Sequence, residues 1–556
     1  MSSVCVTSWH EPAGELLRHW LGRLGFQSDP EGFPIGLLRA DHGPEGFALR
    51  VSALGAFIEA GDQAGAMYGA LAFFEQALDC HFLAADCALL PEQAVIKPVH
   101  LVSAPAFAHR ELYWRGALAP DFAVQLRLNA SRGGLPAGSA WGLKFYNYSH
   151  SFDALVDPQE YFDSHPEYFS LVDGKRQKDF SQLCLSNPQV LAIVTDKVLS
   201  WMREHPDCQI FSVSMNDWYA PCECPDCAAI DDREGSQSGS LLHFVNQVAD
   251  AVRPEFPDNY IHTFAYLYGR KPPRQLKARD NVIIRLCPIE RCFSHALDSC
   301  DAEVGRIDVA TASARSFSAG GDFAEHLQGW AAACQHLYIW DYTCNYANYL
   351  QPFPNLPALQ QTLRWYRDQG VEGLFLQGNY SPGQTSAFAA LKVYCMARLL
   401  WDPDADLQAM RERFVRGYYG QAAADKVLAC LALADGAVQP HHMSLYDGPD
   451  APYLQGSWLR LAQDLLQQAL AATVDPDHRQ RLELELLSTR YVLLTQSPLD
   501  SPDRDAAVDA FAADCRRLGI SELFERRQLE ASFDCMKHSR FARDRDQVPY
   551  SFYRLQ

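Results

Sequence analysis

The sequence predicts an α/β fold: a (β/α)8 TIM barrel with a small N-terminal α/β domain and an all-α C-terminal domain. Three observations carry that expectation. Short apolar strand patterns alternate with helical patterns from about residue 108 to about 385. Polar and aromatic residues gather where those strands end, as at Asn216-Asp217-Trp218, which is where a parallel barrel keeps its chemistry. Beyond residue 385 only helical periodicity remains.

The expected domains span 1–103, 104–385 and 386–556. A chain of 556 residues, 48% hydrophobic and 21% charged, is globular and long enough for several domains. Its net charge of -20 argues against a nucleic-acid partner, which rewards Lys/Arg clusters. It also argues against an anionic membrane surface. The first residues lack a basic segment followed by an apolar one, so they do not read as a secretory signal. No run approaches the roughly 18 apolar residues of a membrane span. The 17 cysteines are odd in number and scattered, which fits reduced thiols. A soluble, cytoplasmic protein is expected.

In the first domain, strand-like pieces at 47–51 and 56–60 flank Gly55. A helical pattern follows over 63–78, with Ala64, Met67, Leu71 and Phe74 on one face. Eight candidate barrel strands come next, at 111–115, 142–146, 182–185, 210–213, 260–266, 282–287, 336–340 and 373–376. Eight β/α units in roughly 280 residues match a barrel. An open doubly wound sheet is the alternative, weakened by the lack of a GxGxxG after any strand. Helical patterns then run over 387–400, 405–414, 456–471, 476–496, 504–518 and 520–541. The adjacent His441 and His442 resemble a metal pair, but neighbours on a helix point in different directions, so a loop reading is preferred.

Strand ends converge in a barrel, so their polar residues form one constellation. Asp217, Glu290 and Asp341 are its acids. Arg115, Lys144, His150, Asn187, Asn216, Tyr266, Gln377 and Asn379 are candidate substrate contacts, with Trp114, Trp218, Trp340 and Tyr342 as flat apolar partners. Glycosidic cleavage needs a carboxyl that protonates the leaving oxygen and a second carboxylate at the anomeric carbon. Asp217 is the expected general acid, with Glu290 or Asp341 as nucleophile, base or stabiliser. Structural roles compete: Glu290 can pair with Arg285 or Arg291, and Asp341 with a cation on a neighbouring strand. Asn187 before Pro188 reads equally as a helix cap.

Cys222, Cys224 and Cys227 form a C-x-C-x-x-C cluster. Such spacing suits one structural zinc, which takes thiolates and wants four ligands. Cys287, Cys292 or His295 is the expected fourth. The alternative is a compact turn of redox-active thiols. No organic cofactor is expected. The polar stretch 234–240 lacks the Lys-Ser/Thr ending of a P-loop and reads as a loop plus helix cap.

Together, His165-Pro166-Glu167-Tyr168-Phe169, Asp173-Gly174-Lys175-Arg176, the run from Gln182 to Pro188, and Ser212 to Trp218 with the cysteine cluster carry a resemblance. Arg270-Lys271-Pro272-Pro273 and Trp340-Asp341-Tyr342 extend it. The chain resembles a family catalogued as a domain of unknown function, number 4838, related to glycoside hydrolases. Gly69-Ala70-Leu71 and the stretch Phe414 to Gly420 resemble flanking regions of family 20 hexosaminidases and family 67 α-glucuronidases. The resemblance implies a barrel with flanking domains and carbohydrate substrates. Family 20 enzymes carry Asp-Glu at the fourth strand, where this chain has Asn216-Asp217.

The leading expectation is an exo-acting glycoside hydrolase on oligosaccharides, with a helical tail available for homodimerisation. A non-catalytic carbohydrate-binding barrel and a metal-dependent enzyme centred on Cys222, Cys224 and Cys227 are the alternatives.

Overall fold

The computed structural model describes residues 3–132, 134–136, 141–300, 302, 323–383 and 386–538. Near the N-terminus, six strands form one sheet in the order Gln27–Ser28, Ser3–Thr7, Phe33–Arg39, Gly55–Ala60, Phe47–Ser52, Val99–Ser103. The helix Gln63–Ala72 starts where the Asp62 carboxylate accepts from Gly65 N–H at 2.7 Å, as an N-cap should. This helix lies flat on the sheet. A Cβ at Gly69 would come within 2.4 Å of Ile58 Cγ2, so only glycine permits that approach.

The central sheet is parallel throughout. Its order is Phe145–Tyr146, Ile210–Ser212, Tyr260–Ala265, Val282–Leu286, His336–Tyr342, Gly373–Gln377, His109–Tyr113. The sheet curls as a TIM barrel does. Its two edge strands face each other, with the His109 and Phe145 rings 5.6 Å apart and Tyr148 Oη donating to Glu111 at 2.8 Å. Ile210, Ile283 and Tyr338, with Phe145 and Tyr260, fill its lower end.

Seven strands pair among the described residues, not the expected eight. Residues 182–185 stay out of the sheet, and Leu183 bridges to Phe169 instead. The Gln182 side chain binds the loop after Ile210–Ser212, which holds the segment across the strand ends.

Helices follow at Ala389–Trp401, Leu407–Tyr418, Gln421–Val438, Trp458–Ala472, Pro476–Gln496, Arg504–Arg517 and Leu529–His538. The helix expected from residue 520 begins only at Leu529. Gly519 takes φ 76 and Arg526 φ 58, left-handed geometry that ends a helix. Residues 519–528 instead form a loop docked on the barrel: Tyr349 N–H donates to Leu523 O at 2.9 Å and Glu525 N–H to Tyr346 O at 3.1 Å. No helix among the described residues is long and apolar enough to cross a membrane.

Candidate active site

Asp217 stands beyond the end of the Ile210–Ser212 strand, with His150 facing its side chain and Gln182 holding the backbone on either side. Ser151 and Ser214 tie two strand-end loops together: Ser151 N–H donates to Ser214 O at 3.0 Å and Ser214 N–H to Ser151 Oγ at 2.9 Å. That contact delivers His150, whose φ of 51 lies in the left-handed region that Asn, Asp and His visit more than other non-glycine residues. His150 Nδ1 donates to Met215 O at 2.9 Å. Its Nε2 therefore carries the lone pair when the ring is neutral, and it lies 4.0 Å from Asp217 Oδ1. Gln182 grips the backbone on either side of the acid. Its Oε1 accepts from Asn216 N–H at 2.9 Å, and its Nε2 donates to Asn216 O at 3.0 Å and Trp218 O at 2.8 Å.

An aromatic floor lies beside this group. The His150 ring is 5.2 Å from Phe264 and 6.2 Å from Tyr266. Trp340 packs on Phe375 at 4.4 Å and donates from Nε1 to Gln377 Oε1 at 2.7 Å. Arg132 lies over Tyr148 at 3.8 Å and Tyr113 at 4.8 Å, placing a cation on the floor. Deeper still are Glu111 and the fully buried Arg285, which packs on Phe145 and Tyr148. Burial pushes the Glu111 carboxyl up, but His109, Arg132 and Tyr148 outweigh it and leave the group below its ordinary value.

The three expected acids have different fates. Asp217 is half-exposed. Glu290 accepts from Arg270 Nη1 at 3.3 Å. Asp341 is fully buried: Arg291 Nη2 reaches both its oxygens at 3.1 and 3.2 Å, and Tyr366 Oη donates at 3.0 Å. A fourth acid, Glu525, comes from the 519–528 loop and accepts from Tyr380 Oη at 3.0 Å. Burial holds its carboxyl above the usual range, and the charge of Asp217 adds to that shift. Sequence reasoning missed Glu525 because it sits in a pattern read as helix. It missed Glu111 as part of a strand, and Arg132 because it lies in a loop.

Several expected contacts belong elsewhere. Lys144 precedes its strand and pairs with Asp207 at 3.3 Å, at the end of the barrel opposite Asp217. Asn187 caps the helix Pro188–Glu204. Asn216 turns inward, donating to Asp153 Oδ1 at 2.7 Å and Ser181 O at 2.8 Å. Trp114 is buried, with Nε1 donating to Thr343 Oγ1 at 2.8 Å. Arg115 and Asn379 line a cavity of about 350 Å³ with Leu83 and Tyr418. Trp218 packs edge-on against Phe180 at 5.0 Å. Tyr342 is buried within the electrostatic reach of Asp217 and Glu290.

The cysteine cluster gains its fourth member from an unexpected place. Cys184, Cys222, Cys224 and Cys227 bring their sulfurs within 4.8 Å of one another, all buried. Cys292 does not join them; it lies in a different group of residues, beyond the Val282–Leu286 strand. Cys184 is supplied by the same segment as Gln182, which stays outside the sheet. An Asp173-Gly174 turn, with φ 49 and 76, closes the hairpin Leu171–Val172 to Lys175–Arg176 in the manner of a two-residue turn. That hairpin sends Leu171 N–H to Cys222 Sγ at 3.4 Å and Arg176 Nη1 to it at 3.8 Å. Four sulfurs with N–H donors around them fit a thiolate-bound metal.

The model of a family described as Domain of unknown function (DUF4838) matches residues 82–431. No curated protein matches the chain. Among solved structures, the chain is similar to a family GH115 4-O-methyl-alpha-glucuronidase, BtGH115A, with a TM-score of 0.57 and 11% identity, covering 100% of this chain and 79% of that one. It is also similar to the Flavobacterium johnsoniae chitobiase FjGH20, with a TM-score of 0.45 and 12% identity, covering 96% of this chain and 95% of that one. At such identities the first likeness speaks for the fold.

Proposed function

The chain belongs to the family whose model spans residues 82–431, and from that premise we propose that it is a glycoside hydrolase acting on the ends of oligosaccharides. The observation that carries this reading is Asp217. It lies at a barrel strand end, gripped by Gln182 and faced by His150, within electrostatic reach of Glu525. Two carboxyls in different environments are what glycosidic cleavage uses. Glu525, with its raised pKa, is the better proton donor, and Asp217 takes the second role at the anomeric carbon. Glu290 stays with Arg270 as a neighbouring charge. Asp341 is given no part in the chemistry, because Arg291 and Tyr366 occupy it.

The 519–528 loop docks on the barrel's loops through residues 346 and 349 and brings Glu525 and Arg526 toward Asp217, and a site walled on that side suits a chain end. Arg132 on the aromatic floor and Arg526 near Asp217 suit a sugar that carries a carboxylate. This agrees with the uronide named for the GH115 neighbour.

At Cys184, Cys222, Cys224 and Cys227 we propose one structural zinc. Four buried sulfurs leave no open position for substrate, which is the closed form of a structural site. The metal-centred enzyme is thereby disfavoured.

The test is a screen of aryl glycosides and natural oligosaccharides, uronides included, with the product anomer followed by NMR. Turnover lost in Asp217→Asn and in Glu525→Gln supports the reading. Saccharide binding with no turnover anywhere in the screen refutes it in favour of a binding protein.

A further inference from the structure

Cys292 leads to a second constellation. The loop after the Val282–Leu286 strand carries Cys292, His295 and Cys300, and the segment between Gln421–Val438 and Trp458–Ala472 carries His442. These four residues place one ligand atom each within 4.8 Å of one another. We propose that Cys292, His295, Cys300 and His442 form a second metal site, a tetrahedral two-sulfur, two-nitrogen centre for zinc, which staples the barrel loop to the helical region.

The distances suit it. Zinc bonds of about 2.3 Å to sulfur and 2.0–2.1 Å to nitrogen give sulfur–nitrogen edges of roughly 3.6 Å in a tetrahedron. Cys292 Sγ lies 3.3 Å from His295 Nδ1, and Cys300 Sγ lies 3.6 Å from His442 Nδ1. The His295 and His442 rings approach edge-on at 5.2 Å, so both can aim at a common point without stacking.

The tautomer suits it as well. His295 Nε2 is 2.8 Å from Gln439 O. A carbonyl only accepts, so Nε2 carries the proton and Nδ1 turns a lone pair toward Cys292. Metal-bound histidines are oriented in this way by the hydrogen bond of their other nitrogen. The scaffold is already in place, with Phe293 N–H donating to Met443 O at 2.9 Å and Ser294 Oγ to His441 O at 2.5 Å. Cys292 is 2% exposed while His442 is at the surface, which gives the ion a way in. A hydrogen-bonded thiol–imidazole pair would use two of these groups, and a Cys292–Cys300 disulfide would use neither histidine.

The experiment counts metal in the full-length chain, purified without metal-affinity resin and dialysed, by elemental mass spectrometry. About two equivalents of zinc are expected. Cys184→Ser should remove one. His442→Ala should remove the other and leave the first in place, and Cys300→Ser should repeat that loss if His442→Ala does not fold. Zinc-edge X-ray absorption of Cys184→Ser should then show a shell of mixed sulfur and nitrogen. One equivalent that His442→Ala leaves untouched overturns the proposal, as does a Cys292–Cys300 cross-link found by peptide mapping. The readout needs no glycosidase activity, so it stands apart from the reading of Asp217.

Discussion

His150 Nε2 stands 4.0 Å from Asp217 Oδ1, and the imidazole is fixed there by its Nδ1 bond to Met215 O. A backbone φ of 51 at a non-glycine residue costs of order 1–3 kcal/mol and persists where the surroundings over-determine it. At His150 the surroundings that do so are the Ser151–Ser214 contact and the Nδ1 bond to Met215 O.

Asp217→Asn removes the carboxylate assigned to the anomeric carbon and is expected to lower kcat/KM on a responsive glycoside by at least about 10²–10⁴-fold, the range for losing a positioned catalytic group. Thermal stability should change little, because this carboxylate is half-exposed. His150→Asn should show a smaller loss with the same direction. Steady-state kinetics beside a melting curve separates the two effects.

Glu525 offers a pH test. Burial raises its pKa, and a proton donor works only while protonated. Activity that depends on it is present below its pKa and lost as pH rises through it. In Glu525→Gln, that high-pH limb of the kcat/KM profile should disappear along with most of the rate. Substrates whose leaving group needs no proton should be affected least. An unchanged limb would assign the proton to another group.

Asp341 gives the contrasting case. Its carboxylate meets Arg291 and Tyr366 with no exposure. Removing one partner of a buried pair typically costs about 3–5 kcal/mol. Asp341→Asn should lower the urea midpoint accordingly, while the folded fraction keeps its specific activity. A large fall in kcat without loss of stability would restore Asp341 to the chemistry.

The barrel was legible because its strands are short apolar runs that alternate with helices such as Pro188–Glu204, Ser238–Val252 and Leu356–Asp368. Asp217 was legible for the same reason: a carboxylate ending an apolar run is conspicuous. Lys144 misled because periodicity locates a strand better than its first residue. The strand starts at Phe145, and that shift of a few residues moved the lysine to the wrong end. Residues 182–185 have the composition of a strand, yet Gln182 and Cys184 are used by a loop and a sulfur cluster. Such demands arise from tertiary contacts and leave no periodic trace. Cys184 was hidden by distance along the chain, since local spacing reveals only the cysteines that are neighbours in sequence. The pairing of His442 with His441 points to the wrong partner, because the residues that meet His442 are Cys292, His295 and Cys300.

Glu485 reports on the junction between barrel and helices. It is buried, accepting from Phe388 N–H at 2.7 Å and Tyr419 Oη at 2.8 Å, and burial lifts its pKa from 4.5 to about 7. The folded protein thus holds this proton more tightly than the unfolded chain does. Its contribution is fully present below pH 4.5 and is lost as pH rises toward 7, an effect of about 3 kcal/mol. In Glu485→Gln that share of the pH dependence should vanish. The difference in unfolding free energy between wild type and variant should then shift in the variant's favour from pH 4.5 to pH 7.

Gln182 and Cys184 lie two residues apart and act on different partners. One holds the backbone at Asn216 and Trp218, and the other belongs to the sulfur cluster. Loosening the cluster should therefore loosen Asp217 without touching substrate. A catalytic carboxylate displaced by about 1 Å can lose roughly 10²-fold in rate. Removing metal from the Cys184 cluster, by chelation or Cys184→Ser, is expected to lower kcat more than it raises KM. Gln182→Ala should lower kcat in the same way while zinc stays bound, and Gln182→Glu, which turns a carboxylate oxygen toward Asn216 O and Trp218 O, should fall at least as far. If Gln182→Ala leaves kcat intact, the cluster supports the fold and has no hold on Asp217.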